Sequence, residues 1–231
     1  MINIRLRKKA ILKSDNIQGF SGSKCCVTIS VGKPPHEGDK FMATLVAVNN
    51  NFESCRIIVG DSLQRHTMKI VSLQDEDEIY TQANALGEQW IERNFPYICR
   101  LNIPYNISRW DEWLTHVDYH DDYSLIKARY QNNSVFKSCV DNTATLFLER
   151  NKDKIAVPIE EALFLSKEYL IEECAVMLLL AKENCQFEIY PNDRNLAVKY
   201  VFRKIISASN PELMQEVSIK FKNRATGAVL A

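Results

Sequence analysis

Residues 174–181 read CAVMLLLA, a run with no charged side chain on any side of a helix. A helix that is apolar all round has to be enclosed by other elements, and this run is too short to cross a bilayer. The chain must therefore wrap its remaining elements around one buried helix. That helix is predicted over residues 158–182, because Pro158 suits a first helical turn and good helix formers follow it. A length of 231 residues with 46% hydrophobic composition supplies enough apolar surface for one substantial core. A single domain over residues 1–231 is expected.

The rest of the chain alternates two periodicities. Residues 25–31 and 56–59 are rich in β-branched and small apolar side chains, and the segment between them, 37–49, has helical character. A helix is predicted over 76–93, with acidic residues in its first turn where the helix dipole favours them. A strand is expected over 97–103, closed by Pro104, then a short helix over 109–114 and a long or broken helix over 122–150. A late strand over 186–190 stops at Pro191. Strands alternating with helices predict an α/β fold, a Rossmann-like parallel sheet flanked by helices, whose ligands sit beyond the carboxyl ends of the strands. No G-x-G-x-x-G segment or P-loop is present, so no nucleotide cofactor is expected.

Charge and cysteine usage narrow the function further. The 29 basic and 29 acidic residues cancel, so any nucleic-acid contact must come from a local patch. Four basic clusters stand out: Arg5, Arg7, Lys8 and Lys9; Arg150, Lys152 and Lys154; Arg194, Lys199, Arg203 and Lys204; and Lys220, Lys222 and Arg224. Seven cysteines form no C-x-x-C pair and several lie inside apolar runs, which suits reduced core thiols. Residues 1–10 carry charge and no secretory apolar region follows them. A cytoplasmic setting without membrane contact is expected. His116 and His120 have the i, i+4 spacing that binds metal on a helix, but no further ligand clusters with them, so no metal is expected.

Three features carry candidate chemistry. Ser30 stands at the end of the first strand, where a side chain faces the crevice, although most strand-end serines only cap a turn. No G-x-S-x-G elbow surrounds it, which disfavours a serine hydrolase. Tyr169 and Glu173 lie one turn apart on a helix face that continues through Ala162, Leu165, Val176 and Leu180. A carboxylate on such a face needs either a cationic partner or a function. Tyr190, followed by Pro191, ends the late strand, so in a parallel sheet its phenol reaches the same crevice as Ser30.

In this order, Ser30, Tyr169-Leu170-Ile171-Glu172-Glu173 and Tyr190-Pro191 resemble the tRNA-dependent cyclodipeptide synthases, over most of the chain. The Tyr-Pro pair is similar to the branch of that family carrying Tyr-Pro there. Val31-Gly32, His36-Glu37-Gly38, Lys40-Phe41 and Leu63-Gln64-Arg65-His66-Thr67 look like the same branch. The other branch has asparagine where this chain has Lys33 and glycine where it has Thr28, which makes Lys33 and Thr28 candidates for lining the substrate site.

The resemblance implies a monomer similar to the catalytic domains of class I tyrosyl- and tryptophanyl-tRNA synthetases. It also implies two aminoacyl-tRNAs as substrates and a cyclic dipeptide as product. The synthetase signatures His-x-Gly-His and Lys-Met-Ser-Lys-Ser are missing, so ATP activation is not expected. By resemblance Ser30 is the nucleophile, Tyr169 and Glu173 hold the aminoacyl ammonium, and Tyr190 relays a proton during ring closure. Two other readings remain open at this point: a synthetase-like RNA-binding protein without catalysis, and a hydrolase.

Overall fold

The computed structural model describes residues 7–14, 19–209 and 214–223. Its six strands are β1 (Lys8–Lys13), β2 (Lys24–Ser30), β3 (Ser54–Gly60), β4 (Tyr105–Arg109), β5 (Phe187–Tyr190) and β6 (Gln215–Asn223). They form one sheet in the order β1-β6-β5-β2-β3-β4. Strands β2 to β6 run parallel and β1 runs antiparallel to β6 at the edge. The helices are α1 (Gly38–Asn51), α2 (Arg65–Ile70), α3 (Glu76–Ile98), α4 (Trp110–Leu114), α5 (Tyr119–Asn132), α6 (Ser134–Arg150), α7 (Ile159–Lys182) and α8 (Leu196–Val201).

Helices α1 and α3 cover one face of the sheet. Phe41, Leu45, Val48 and Trp90 pack there on Val27, Ile29, Ile57 and Val59. The other face is covered by α7, and α5, α6 and α8 close around it through Ile126, Phe136, Val140, Ala144 and Val198. Residues 170–181 of α7 are all buried, the enclosure that the CAVMLLLA run demands. Side chains as buried as Leu179 and Leu180 each contribute about 1.5–3 kcal/mol through lost apolar exposure. Among the described residues no helix is long and apolar enough to cross a membrane.

Several expectations are corrected. No strand forms over 97–103: α3 runs through Pro96 to Ile98, and the next strand starts at Tyr105. Proline in the last turn costs a single intrahelical bond, and continuing the helix seats Ile98 in the core. Of the long or broken helix expected over 122–150 the structure has the broken form, beginning at Tyr119, because the Asn133 side chain accepts from Phe136 N at 2.8 Å and caps a new start. Strands β1 and β6 were not anticipated, since each buries only one face and reads as largely polar. The sheet is therefore mixed at one edge. His116 lies in the turn between α4 and α5, so it does not share a helix with His120.

The strand order places the functional crevice. From β2 the chain moves outward through β3 to β4, then crosses back to β5 on the other side of β2. Ligands of open α/β sheets bind where the order reverses, outside the carboxyl ends of the two diverging strands. Those ends are Ser30 and Tyr190.

Candidate active site

Beyond Ser30 the chain turns sharply. Lys33 N donates to the Ser30 carbonyl at 3.3 Å, and Gly32 holds φ at +78°, a backbone region that suits glycine. On the neighbouring strand Pro191 ends the ladder after Tyr190. The two strand ends meet: Ser30 Oγ lies 2.9 Å from Tyr190 Oη, with either able to donate. Lys33 Nζ donates to the same phenol oxygen at 3.3 Å.

Two side chains hold the Tyr190 ring. The Arg194 guanidinium lies over its ring, 3.7 Å from the centroid, and the His36 ring packs on it with centroids 5.0 Å apart. His36 also fixes the serine backbone, since its Nδ1 accepts from Ser30 N at 3.2 Å. Burial, with the Lys33 and Arg194 cations nearby, pulls the His36 pKa down to about 3. The imidazole is therefore neutral at ordinary pH, with its proton on Nε2, an atom buried without a partner among the described residues.

Behind the Ser30–Tyr190 pair sits a buried ionic cluster. Arg194 Nη1 donates to Glu173 Oε1 at 2.9 Å, and Nη2 donates to both Glu188 and the Thr28 hydroxyl. Burial alone would lower the Arg194 pKa, but Glu188 and Glu173 outweigh it and hold the guanidinium firmly protonated. Asn195 Nδ2 donates to Glu173 Oε2 at 2.8 Å, while its own Oδ1 caps α8. Two buried carboxylates share the one buried guanidinium of this cluster, while the cations Lys33 and Arg150 line the cavity beside it. Each Glu173 oxygen retains a lone pair for a further donor.

The cluster forms one wall of a cavity of about 490 Å³. Ser30, Lys33, Tyr169, Glu173 and Tyr190 all line it, with Gln64, Ser166 and Asn195 among their neighbours. Burial first, then the nearby Glu173 and Tyr190, raise the Tyr169 pKa well above the ordinary phenol value, which keeps its hydroxyl protonated. Thr28 does not line the cavity. It lies below the floor, its hydroxyl held between Glu188 and Arg194.

The neighbouring Glu172 points to a different side of α7, about a quarter turn away. It accepts two bonds from Arg65, one from His66 and one from Trp110 Nε1 at 2.9 Å. Burial would raise its pKa, but His66 and Arg65 pull it below the usual carboxylate range. Of the two adjacent acids, Glu172 is fully satisfied within the protein and Glu173 faces the cavity.

The geometry can be set beside known proteins. Neither a family model nor a curated protein matches the sequence. Among solved structures, a CDPS from Fluoribacter dumoffii superposes with a TM-score of 0.89 at 33% identity, over 94% of this chain and 99% of that one. The chain belongs to the cyclodipeptide synthases. A cyclodipeptide synthase from Candidatus Glomeribacter gigasporarum, bound to Phe-tRNAPhe, shares the fold at 19% identity and a TM-score of 0.70, over 91% of this chain and 92% of that one. A Mycobacterium tuberculosis protein, whose structure relates cyclodipeptide synthetases to type I tRNA synthetases, shares it at 10% identity and a TM-score of 0.70, over 94% and 96% of the two chains.

Sequence reasoning missed Arg194, Glu188, Asn195 and His36 as parts of this candidate site. Arg194 was grouped with surface lysines, yet it is only 5% exposed. One signal was available: Glu188 is an acid inside an otherwise apolar strand and needs a cation. Among the described residues no group of histidine, cysteine or acidic side chains suits a metal. Arg5 and Arg224, assigned to basic clusters, lie outside the described residues.

Proposed function

We propose that this protein is a tRNA-dependent cyclodipeptide synthase of the Tyr-Pro branch, working through aminoacyl and dipeptidyl esters of Ser30 without ATP. The observation that carries the reading is the Ser30–Tyr190 hydrogen bond at the topological switch point, beside a cavity whose wall presents the Glu173 carboxylate.

The first step exchanges one ester for another. Ser30 Oγ attacks the aminoacyl carbonyl, the carbonyl–ribose oxygen bond breaks, and the ribose leaves with the serine proton. The substrate is already activated, so the protein supplies position and electrostatics. The α-ammonium of the amino acid fits between Tyr169 and Glu173, where it meets the Glu173 carboxylate. The amine of a second aminoacyl-tRNA then attacks the Ser30 ester, which frees Ser30 Oγ and leaves the dipeptide on the second tRNA. Ser30 Oγ attacks that second ester in turn, its carbonyl–ribose oxygen bond breaks, and the ribose leaves with the serine proton, giving the dipeptidyl ester. The free amine of that dipeptide closes the ring on the ester carbonyl and releases Ser30. Tyr190 relays the proton in this closure, since it already bonds Ser30 Oγ, and the Lys33 ammonium supports its oxygen.

The test is twofold. Bacteria expressing the protein should accumulate a new diketopiperazine, detected by mass spectrometry of the medium. Ser30→Ala should remain folded, make none, and lose the labelled aminoacyl ester that can be trapped on the wild type. Undiminished labelling of the alanine variant would place the nucleophile elsewhere.

A further inference from the structure

The turn after the nucleophile fixes the starting point of one charged side chain. Gly32 adopts φ +78°, which lets the backbone reverse directly after β2. Lys33 N then donates to the Ser30 carbonyl at 3.3 Å, and His36 N donates to the Lys33 carbonyl at 2.9 Å. Pro34 disfavours a helical conformation for the residue before it, and Lys33 is extended, with φ −88° and ψ 129°. The segment Gly32-Lys33-Pro34-Pro35 thus roots the Lys33 stem close to Ser30. The stem ends at Tyr190, where Nζ donates to Oη at 3.3 Å.

Ser30 Oγ lies 2.9 Å from the same phenol oxygen, so no more than two hydrogen bonds separate the nucleophile from the ammonium. Each tetrahedral intermediate formed on Ser30 carries a negative oxygen one bond beyond the carbon bonded to Oγ. Stabilising it takes a donor about 2.7–3.1 Å from that oxygen. Three donors around the serine are already engaged. Ser30 N donates to His36 Nδ1, and Gln64 Nε2 to the carbonyls of Val31 and Gly60 at 2.8 and 3.5 Å. Every guanidinium nitrogen of Arg194 is held by Glu173, Glu188 or Thr28.

Lys33 differs from all three. Among the described residues its Nζ has no hydrogen-bond partner besides Tyr190 and takes part in no ion pair. An ammonium has three N–H groups, so two stay available. Its charge acts inside the site: after burial, the larger cause, Lys33 and then Arg194 keep the His36 imidazole neutral. Glu173 faces the same cavity from α7. The cavity therefore offers an anion for the ammonium of an aminoacyl group and, on the Ser30 side, a cation for its carbonyl oxygen.

We infer that Lys33 is a catalytic residue, the oxyanion donor for every acyl transfer at Ser30. This rests on the function proposed above and assigns the electrophilic part of that site. When Ser30 Oγ attacks an ester carbonyl, the carbonyl π electrons move to oxygen and a Lys33 N–H donates to it. On collapse the carbonyl re-forms, the ribose oxygen leaves with the serine proton, and Lys33 keeps all of its own. In ring closure the amine nitrogen attacks and Ser30 Oγ leaves, so the same donor serves again. Lys33 thus acts in acylation and in release, whereas Tyr190 acts in release.

The test is single-turnover acylation with enzyme in excess, on wild type, Lys33→Met and Lys33→Arg. The probe is unfractionated bacterial tRNA charged with radiolabelled amino acids, and the readout is the acyl ester left on the protein after ribonuclease digestion. Methionine removes the charge and all three donors, so the acylation rate at saturating enzyme should fall about 100-fold. Half-saturation should not move, and cyclic product should slow by a similar factor. Arginine retains the charge in a different geometry, and its rate should lie between the other two. Melting temperatures should hold, because the side chain is exposed. A raised half-saturation with an unchanged plateau would make Lys33 a phosphate contact and overturn the inference. So would a wild-type plateau with only product release slowed, or an arginine variant as slow as methionine. Wild type and Lys33→Met that acylate Ser30 equally fast refute the inference alone. Wild type that forms no acyl-serine refutes the proposed function, and the inference falls with it.

Discussion

Glu172 and Glu173 are adjacent, chemically identical and both buried, so replacing each by glutamine separates structural from substrate-directed charge. At Glu172 the carboxylate accepts from Arg65, His66 and Trp110. A glutamine keeps one oxygen acceptor and turns an NH2 group toward donors, losing charge-assisted bonds worth ~1.5–3 kcal/mol each. Arg65 reaches partial solvent, its side chain being 26% exposed, which limits the total to roughly 3 kcal/mol. For a domain of this length that lowers Tm by about 6–12 °C. At Glu173 the balance differs. Arg194 keeps Glu188 and Thr28 as partners, Gln Oε1 still accepts from Arg194, and one of the two carboxylates sharing that guanidinium becomes neutral. Only the Asn195 contact is compromised, a cost of about 1 kcal/mol that the removed charge offsets. Glu173→Gln should thus melt within about 3 °C of wild type, while cyclic dipeptide formation falls at least ~100-fold, as expected when a charge-assisted contact to substrate is lost in a dry site. Glu172→Gln should melt early, yet turn over near the wild-type rate per folded molecule. Thermal melts and product assays on the same preparations decide it. A strongly destabilised Glu173→Gln whose folded fraction works normally would refute the substrate-charge reasoning.

Two further outcomes follow from the geometry around Tyr190. Tyr190→Phe keeps the ring between Arg194 and His36 but removes the bond to Ser30 Oγ, so quenched-flow labelling should show first acylation of Ser30 largely retained and release of cyclic product slowed; an equal fall in both steps counts against the relay. His36, neutral in the fold with a pKa of about 3 against an ordinary 6.5, takes up its proton more readily when unfolded, so it draws down stability as pH falls below about 6.5, by ~1.4 kcal/mol per unit. Denaturant unfolding between about pH 6 and pH 5 should show this slope in wild type and lose most of it in His36→Gln; identical slopes would mean that His36 is protonated in the native protein.

The apolar run at 174–181 was sufficient to require an enclosed helix, because no arrangement of a helix can turn such a surface to water at acceptable cost. Alternating β-branched and helical segments were likewise enough for an α/β fold with a parallel sheet, while strand-end positions made Ser30 and Tyr190 no more than candidates, which the family resemblance then selected. These are local signals, each carried by a few consecutive residues. Strands β1 and β6 escaped notice since each has one wet face and the two pair with each other across some two hundred residues. Pairing across such a separation leaves little trace in local periodicity, and the same pairing gathers basic clusters that look unrelated along the chain. The ionic cluster was hidden for a related reason. Arg194 has the composition of a surface loop residue, and only the return of that loop beneath Tyr190 buries it between Glu173 and Glu188. The sequence showed that Glu173 needed a cation or a substrate. Tertiary structure supplied one cation for two carboxylates, because electrostatic balance depends on which charges share a low-dielectric space, a distance relation that no local pattern encodes.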